Sequence, residues 1–322
     1  MTATGAELGE RLAKRDVGAA PAALNLIEDR SAGARAEAAR LLEAVSPAKL
    51  GREAPAHLIG VTGPPGAGKS TLLSALVREW RGQHRTVAVL AVDPSSKRSG
   101  GSLLGDRARI DHDPRDEGLL IRSTAAAGRL GGLAAPTREA AWALAAAYDI
   151  VVVETVGVGQ SETDVEEVCD TVAVVVQPAS GDTLQFIKAG IMEVPDVLVV
   201  TKADLGDAAR RAQRDLSSAL TSLGERGVPV VSVSSLPPPS GIAELIEALA
   251  EALAHHRAGL AIADARARAR RLGALADFVA EHGARGLRAL GGRRTAERFL
   301  AEQPPEAGEP ALVAALEARA RG

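Results

Sequence analysis

Between residues 57 and 257 short apolar runs alternate with longer amphipathic stretches. The runs are Leu58–Val61, Val87–Val92, Leu119–Ile121, Ile150–Val153, Val172–Val176, Val197–Val200 and Val228–Val233. They are apolar at successive positions rather than alternate ones, which suits strands covered on both faces. Strands separated by helical stretches predict parallel pairing through right-handed crossovers, hence an α/β fold with a mainly parallel, doubly wound sheet. Ile242, Leu245, Ile246, Leu249 and Leu253 share one face of a closing helix. Residues 1–54 read as a helical extension, with Leu41, Leu42 and Val45 on one side and Pro47 and Pro55 bracketing a connector. After 257 the strand pattern stops. Residues 257–322 read as a helical arm, rich in Ala, Arg and Leu and broken at Pro304-Pro305. The predicted division is therefore 1–54, 55–256 and 257–322. The basic cluster Arg266, Arg268, Arg270 and Arg271 predicts a solvated helix face with snorkelling stems, or a contact with an acidic partner.

Composition narrows the chemistry. Hydrophobic residues make up 46% of the 322 residues and aromatics only 2%, so the core is to be built from Ala, Val, Leu and Ile. A net charge of -3 gives no reason to expect nucleic-acid binding. The single cysteine, Cys169, excludes a disulfide within the chain and a Cys-rich zinc site. No apolar run approaches the ~18 residues of a membrane span, and the first residues lack the apolar core of a signal peptide. The expected location is cytoplasmic. Only six of the 38 basic residues are Lys, and two of them, Lys69 and Lys202, fall inside the motifs below.

The first motif is Gly63-Pro64-Pro65-Gly66-Ala67-Gly68-Lys69-Ser70, followed by Thr71. It matches G-x-x-x-x-G-K-[ST] in full, with a predicted strand before it and a predicted helix after it. Glycines let backbone N–H groups turn inward and approach phosphate oxygens, and the helix N-terminus adds its positive dipole end. Lys69 is expected on the β- and γ-phosphates and Ser70 on Mg²⁺.

Ligands of open parallel sheets bind at the carboxyl ends of the strands. Two predicted strands run into acids there, Asp93 and Glu154. Asp106, in the stretch GGSLLGD, is a third candidate near the metal. Gly157 is placed to sense the γ-phosphate through its N–H. Glu stands at 154 where GTPases usually carry Asp; it is one methylene longer and suits contact through a metal-bound water. The run Val197–Val200 leads into Thr201-Lys202-Ala203-Asp204, where many GTPases carry Asn-Lys-x-Asp. Asp204 can accept from the N1 and N2 donors of guanine, which adenine lacks, and Lys202 would lie along the base. Thr201 replaces the usual Asn and so loses an amide that braces the loop. The next strand ends in Ser234-Ser235-Leu236, suited to a backbone N–H for guanine O6.

These segments together resemble the MeaB/ArgK family of GTPases associated with methylmalonyl-CoA mutase. The matching stretches are GPPGAGKST (63–71), VLAVDPSSKRSGGSLLGDRARI (89–110), GGLAAPTRE (131–139), VVVETVGVGQSETDVEE (151–167), QPASGDTLQFIKAGIMEVPD (177–196), TKAD (201–204) and, loosely, LNLIEDR (24–30). The resemblance implies a three-layer α/β GTPase domain and a homodimer formed through the C-terminal arm. It implies an adenosylcobalamin-dependent acyl-CoA mutase as partner, whose cofactor loading and protection the GTPase gates. Lys69, Ser70, Asp93, Asp106 and Glu154 would form the phosphate and metal site, with GTP or GDP as nucleotide. Residues 177–196 resemble the loop that signals to the mutase.

The expected reaction is Mg²⁺-assisted attack of water on the γ-phosphate, by positioning and charge stabilisation. No Gln directly follows Gly157; Gln160 is three residues on, and no arginine finger is evident. Slow turnover alone and faster turnover with a partner are expected. The alternatives are a metallochaperone, a transport-associated kinase or ATPase, and a nucleotide-bound scaffold with little turnover.

Overall fold

The structure, a computed structural model, describes residues 3–93, 110–125, 133–155, 165–178, 195–224, 227–258 and 261–321. In chain order the helices are α1 (Gly5–Ala13), α2 (Ala20–Glu28), α3 (Ala32–Ala44), α4 (Pro47–Leu50), α5 (Lys69–Gly82), α6 (Ala135–Ala145), α7 (Asp207–Leu223), α8 (Ile242–Ala258), α9 (Ala261–Ala289), α10 (Arg293–Ala301) and α11 (Glu309–Arg321). The strands are β1 (His57–Thr62), β2 (Val87–Asp93), β3 (Leu119–Ala125), β4 (Ile150–Glu154), β5 (Thr171–Val176), β6 (Val197–Val200) and β7 (Val230–Ser232). They fall into two compact units, 57–134 with 149–259, and 1–56 with 135–148 and 260–322. Among the described residues no helix is long and apolar enough to cross a membrane.

The first unit holds a seven-stranded sheet in the order β3-β2-β4-β1-β5-β6-β7. Every neighbouring pair is parallel. The expected α/β doubly wound class is what the chain adopts. Strands β1, β4, β5 and β6 are buried along almost their whole length, which is why their apolar residues run without alternation. On one face Leu72, Leu76 and Trp80 of α5 and Leu245 and Leu249 of α8 pack on Val61, Val89, Val175 and Val199.

Three aspartates set the register at the amino ends of the strands. Asp149, Asp170 and Asp196 each stand immediately before a strand. Their carboxylates accept from the amides of Thr86 (2.8 Å), Leu58 (2.9 Å) and Val172 (2.8 Å), at the entrance of the neighbouring strand. A one-residue slip would break all three bonds and turn apolar side chains toward the wrong neighbours. The opposite, carboxyl ends are thereby aligned for the site.

In the helical unit, Leu275 and Phe278 of α9 pack with Leu300 of α10 and Leu312 and Leu316 of α11. Beside this core lies a buried ionic group. Arg138 of α6 donates to Glu309 (2.8 Å) and to both oxygens of Asp277 (2.8 Å each), and Trp142 donates to Glu309 at 3.2 Å. Burial alone would drive Glu309 to its neutral form; Arg138 opposes that, and burial prevails in the direction of the shift. The basic stretch of α9 is no solvated face. Arg266 and Arg270 are 3% and 4% exposed. Arg266 donates to the carbonyls of Ala54 (2.7 Å) and Ala56 (2.8 Å). Arg270 forks onto Glu53 and also reaches Pro305 O, while Arg271 reaches Gln303 O. A buried guanidinium is tolerated when most of its donors are engaged; of Arg270 both terminal nitrogens are, while its Nε is buried without a partner. Of the four, Arg268 is exposed.

Candidate functional site

The phosphate loop leaves β1 at Thr62 and ends at the first turn of α5. Its backbone takes a positive φ at three glycines, Gly63, Gly66 and Gly68. Gly63 has φ 140, and a Cβ there would lie 2.1 Å from Val175 O. Gly68 has φ 90 and caps α5. The side chain of Lys69, 8% exposed, turns back over the loop and donates to Gly63 O at 2.6 Å and Pro64 O at 3.2 Å. Its charge is thus held over the loop by two of the loop's own carbonyls.

The Ser70 hydroxyl donates to Glu154 Oε1 at 3.3 Å. Two predicted metal ligands, from the start of α5 and the end of β4, are therefore brought together. Asp93 is the last residue of β2, next to β4 in the sheet, and only its backbone is described. Asp106, Gly157 and Gln160 lie outside the described residues, as does most of 177–196. Behind Ser70 and Glu154, the buried hydroxyls of Thr155 and Thr62 are bonded at 2.9 Å, and the Thr155 amide donates to Val61 O at 3.0 Å. This pair ties the ends of β4 and β1, and the sequence reading did not single it out.

Thr201 alters the sequence-based expectation. Its hydroxyl, 4% exposed, lies 2.6 Å from Ala67 O, in the middle of the phosphate loop, and 3.1 Å from Val176 O. The loop is braced by a hydroxyl in place of an amide. Replacing Thr201 by Val keeps the shape and leaves the buried Ala67 carbonyl without this donor, a loss of about 1–3 kcal/mol. Denaturant unfolding of Thr201→Val is expected to show that loss, and Thr201→Ser to recover most of it. Equal stability of Val and Thr would mean the hydroxyl braces nothing.

Lys202 adopts a left-handed backbone (φ 56), which turns the chain out of β6. Its ammonium reaches Gly66 O at 3.4 Å and the side-chain oxygen of Gln177, linking the phosphate loop to the end of β5. Asp204 is exposed, and Ser234 donates to its Oδ1 at 3.0 Å. The carboxylate is oriented through one oxygen while the other keeps its acceptor capacity. The Ser234 amide is itself used, donating to Ser240 O at 3.0 Å, and Ala203 N donates to Val233 O. Among the described residues Leu205 and Leu236, at 51% and 57%, are the exposed large hydrophobic residues, and both flank this carboxylate–serine pair in sequence. The loop of residues 63–70, the Ser70–Glu154 pair and the Asp204 carboxylate thus gather at the carboxyl ends of β1, β4, β5, β6 and β7, where this topology binds ligands.

Known proteins are similar to this chain. A solved structure titled as a LAO/AO transport system kinase superposes with a TM-score of 0.66 at 30% identity, over 92% of this chain and 96% of that one. A proposed GTPase of Pyrococcus horikoshii is 46% identical over 199 residues, 62% of this chain and 60% of that protein. The mitochondrial methylmalonic aciduria type A homolog of Caenorhabditis elegans is 39% identical over 242 residues, 71% of this chain and 61% of that protein. The chain thus spans about 60% of the length of these curated relatives. Residues 20–287 match the family described as methylmalonyl Co-A mutase-associated GTPase MeaB, and the chain belongs to that family.

Proposed function

We propose that this chain binds guanine nucleotide with Mg²⁺, hydrolyses GTP slowly on its own, and gates cofactor loading and protection of an adenosylcobalamin-dependent acyl-CoA mutase. The observation that carries the reading is one site with three complementary parts: a buried Lys69 over the phosphate loop, the Ser70–Glu154 pair, and Asp204 held by Ser234.

The donors of Ser70 and Glu154 are hard oxygens, a set that suits Mg²⁺. Asp93 and Asp106 complete the proposed metal and catalytic set. When bound, the ion supplies positive charge to the β- and γ-phosphate oxygens. The rest is work for the chain. Lys69 and the loop amides of 63–70 hold the triphosphate and stabilise charge that grows on the β–γ bridging oxygen. The oxygen of a water molecule bonds to the γ-phosphorus as the bond to that bridging oxygen breaks, leaving GDP and inorganic phosphate. Gly157 is proposed to sense the γ-phosphate. At the base, Asp204 accepts from guanine N1–H and N2–H and Lys202 covers the ring. With the Ser234 amide engaged by Ser240 O, the donor to O6 narrows to the amides of Ser235 and Leu236.

The mutase partnership is supported by the family description and by the nematode relative's name. A homodimer through the C-terminal arm and a cytoplasmic location belong to the same reading. Steady-state hydrolysis of GTP, with ATP in parallel, should be slow alone and rise severalfold with one acyl-CoA mutase of the same organism. A rate that no mutase changes would sink the partnership. Preference for ATP would sink the guanine site and favour a kinase of transport proteins.

A further inference from the structure

The helical unit contains a second group of convergent donors, independent of the nucleotide site. A cavity of about 180 Å³ is lined by five carboxylates, Glu139, Asp277, Glu281, Glu309 and Glu317, against two arginines. Its negative character shows in Glu139, pushed up to about 7 by burial and then by the charges of Asp277 and Glu309. Two of the lining acids, Glu281 and Glu317, meet His282. One donor atom from each of the three residues lies within 4.8 Å of the other two.

Such convergence is not given by the helix alone. Neighbours in a regular α-helix project about 100° apart, so Glu281 and His282 of α9 would diverge. The helix is interrupted directly after them: Gly283 has φ 60 and ψ -160. The imidazole is also seated. Its ring lies 4.6 Å from that of Phe278, centre to centre, and a Cβ at Gly286 would fall 2.4 Å from the Cβ of His282. Any larger residue at 286 would displace the histidine. His282 Nε2 points at Glu317 Oε1, 3.1 Å away on α11. Arg35 holds Glu281 through Oε2 at 3.3 Å, which leaves the other oxygen as a ligand. A carboxylate steadied by an outer charge is how ligands are commonly oriented around metals. A plain surface ion pair needs two of these groups; Gly286, Arg35 and the approach of α11 hold three.

We propose that Glu281, His282 and Glu317 form a binding site for a divalent transition ion, with Zn²⁺ as occupant, that fastens the kinked α9 to α11. One imidazole nitrogen and two carboxylate oxygens at about 2.0–2.2 Å suit zinc, with water in the remaining position. The nitrogen donor tells against Mg²⁺ and Ca²⁺, and the lack of sulfur against copper(I). All three side chains are partly exposed, so the carboxylates can rotate inward to close the coordination sphere.

The test uses the untagged 322-residue chain, stripped with chelator and saturated with Mg²⁺ and GDP. Co²⁺ is added while visible absorption is followed, then displaced by Zn²⁺ in a calorimeter. One equivalent per chain is expected. His282→Ala and, as a milder change, Glu317→Gln should each weaken it more than about tenfold, with circular dichroism unchanged. Glu297→Gln, an acid of α10 outside the cluster, should bind as the parent does. Failure to bind one equivalent would overturn the proposal. So would unchanged affinity in both His282→Ala and Glu317→Gln, which would assign the ion to other groups.

Discussion

Lys69→Met should hydrolyse GTP about 10²–10³-fold more slowly than the parent chain while unfolding at the same or a higher denaturant concentration. The estimate is that of removing one preorganised charge from a site where negative charge develops. Methionine keeps the length and apolar stem of lysine. What it lacks is the ammonium, which is buried and held by the Gly63 and Pro64 carbonyls. Holding a cation in that place costs desolvation free energy, so its removal does not weaken the fold as a core cavity would. Lys69→Arg should be nearly as slow, because a planar fork cannot occupy a position shaped for a compact point charge. Single-turnover hydrolysis at saturating GTP and a urea titration together check the claim. A rate within threefold of the parent would remove Lys69 from the mechanism. A rate loss matched by a stability loss would make it a structural lysine.

The site was legible where chemistry is local. Eight consecutive residues make the phosphate loop, and the strand before it and helix after it are where periodicity puts them. The apolar runs found the strands because a sheet covered on both faces needs no polar alternation. The two edge strands are the exceptions. Leu119–Ile121 reads shorter than β3, Leu119–Ala125, whose second half carries Arg122, Ser123 and Thr124. Val228–Val233 reads longer than β7, which is only Val230–Ser232, half-buried and paired on one side alone. Strand order was not legible. Nothing local says that β4 separates β2 from β1, since pairing is decided by crossovers that each span tens of residues.

Side chains that act at a distance were hidden for the same reason. Thr201 looked like a lost amide, because its acceptor, Ala67, is 134 residues away. Arg266 and Arg270 looked solvated, because Glu53 and the carbonyls of 54 and 56 lie more than 200 residues upstream. Residues 135–148 group with the two terminal segments, and Arg138 within them finds its partners Asp277 and Glu309 139 and 171 residues away. One signal was available. Asp stands directly before β4, β5 and β6, and a short acceptor repeated at strand entrances is a register device that could have been sought. Glu281, His282 and Glu317 carry no such spacing; only the packing of α11 on α9 brings them together.

Asp204→Asn should turn a guanine site into a xanthine site. Guanine offers N–H donors at both N1 and N2, and a carboxylate accepts both. Xanthine keeps the N1 donor but carries an oxygen in place of the N2 amine. An asparagine can accept from N1 through its carbonyl and donate to that oxygen through its amide. Against guanine, the same amide faces the N2 donors and one hydrogen bond becomes a repulsion. A hydrogen bond to a charged group is worth about 1.5–3 kcal/mol, so losing the one to N2 amounts to roughly one to two orders of magnitude in affinity before the repulsion is added. The framework should survive the change. Ser234 donates to Oδ1, an oxygen that asparagine retains, and residue 204 is exposed, so no buried charge is removed. Lys202 still anchors to Gly66 and Gln177, and Thr201 still braces Ala67. Binding of GDP and of xanthosine diphosphate to the two proteins, measured side by side, gives a clean reading. The expected result is a crossover, with the parent selecting guanine and the variant xanthine. Parallel weakening of both ligands would mean that Asp204 holds the loop and not the base. Unchanged GDP binding would move base recognition away from residues 201–204 altogether, and with it the reason for expecting GTP over ATP.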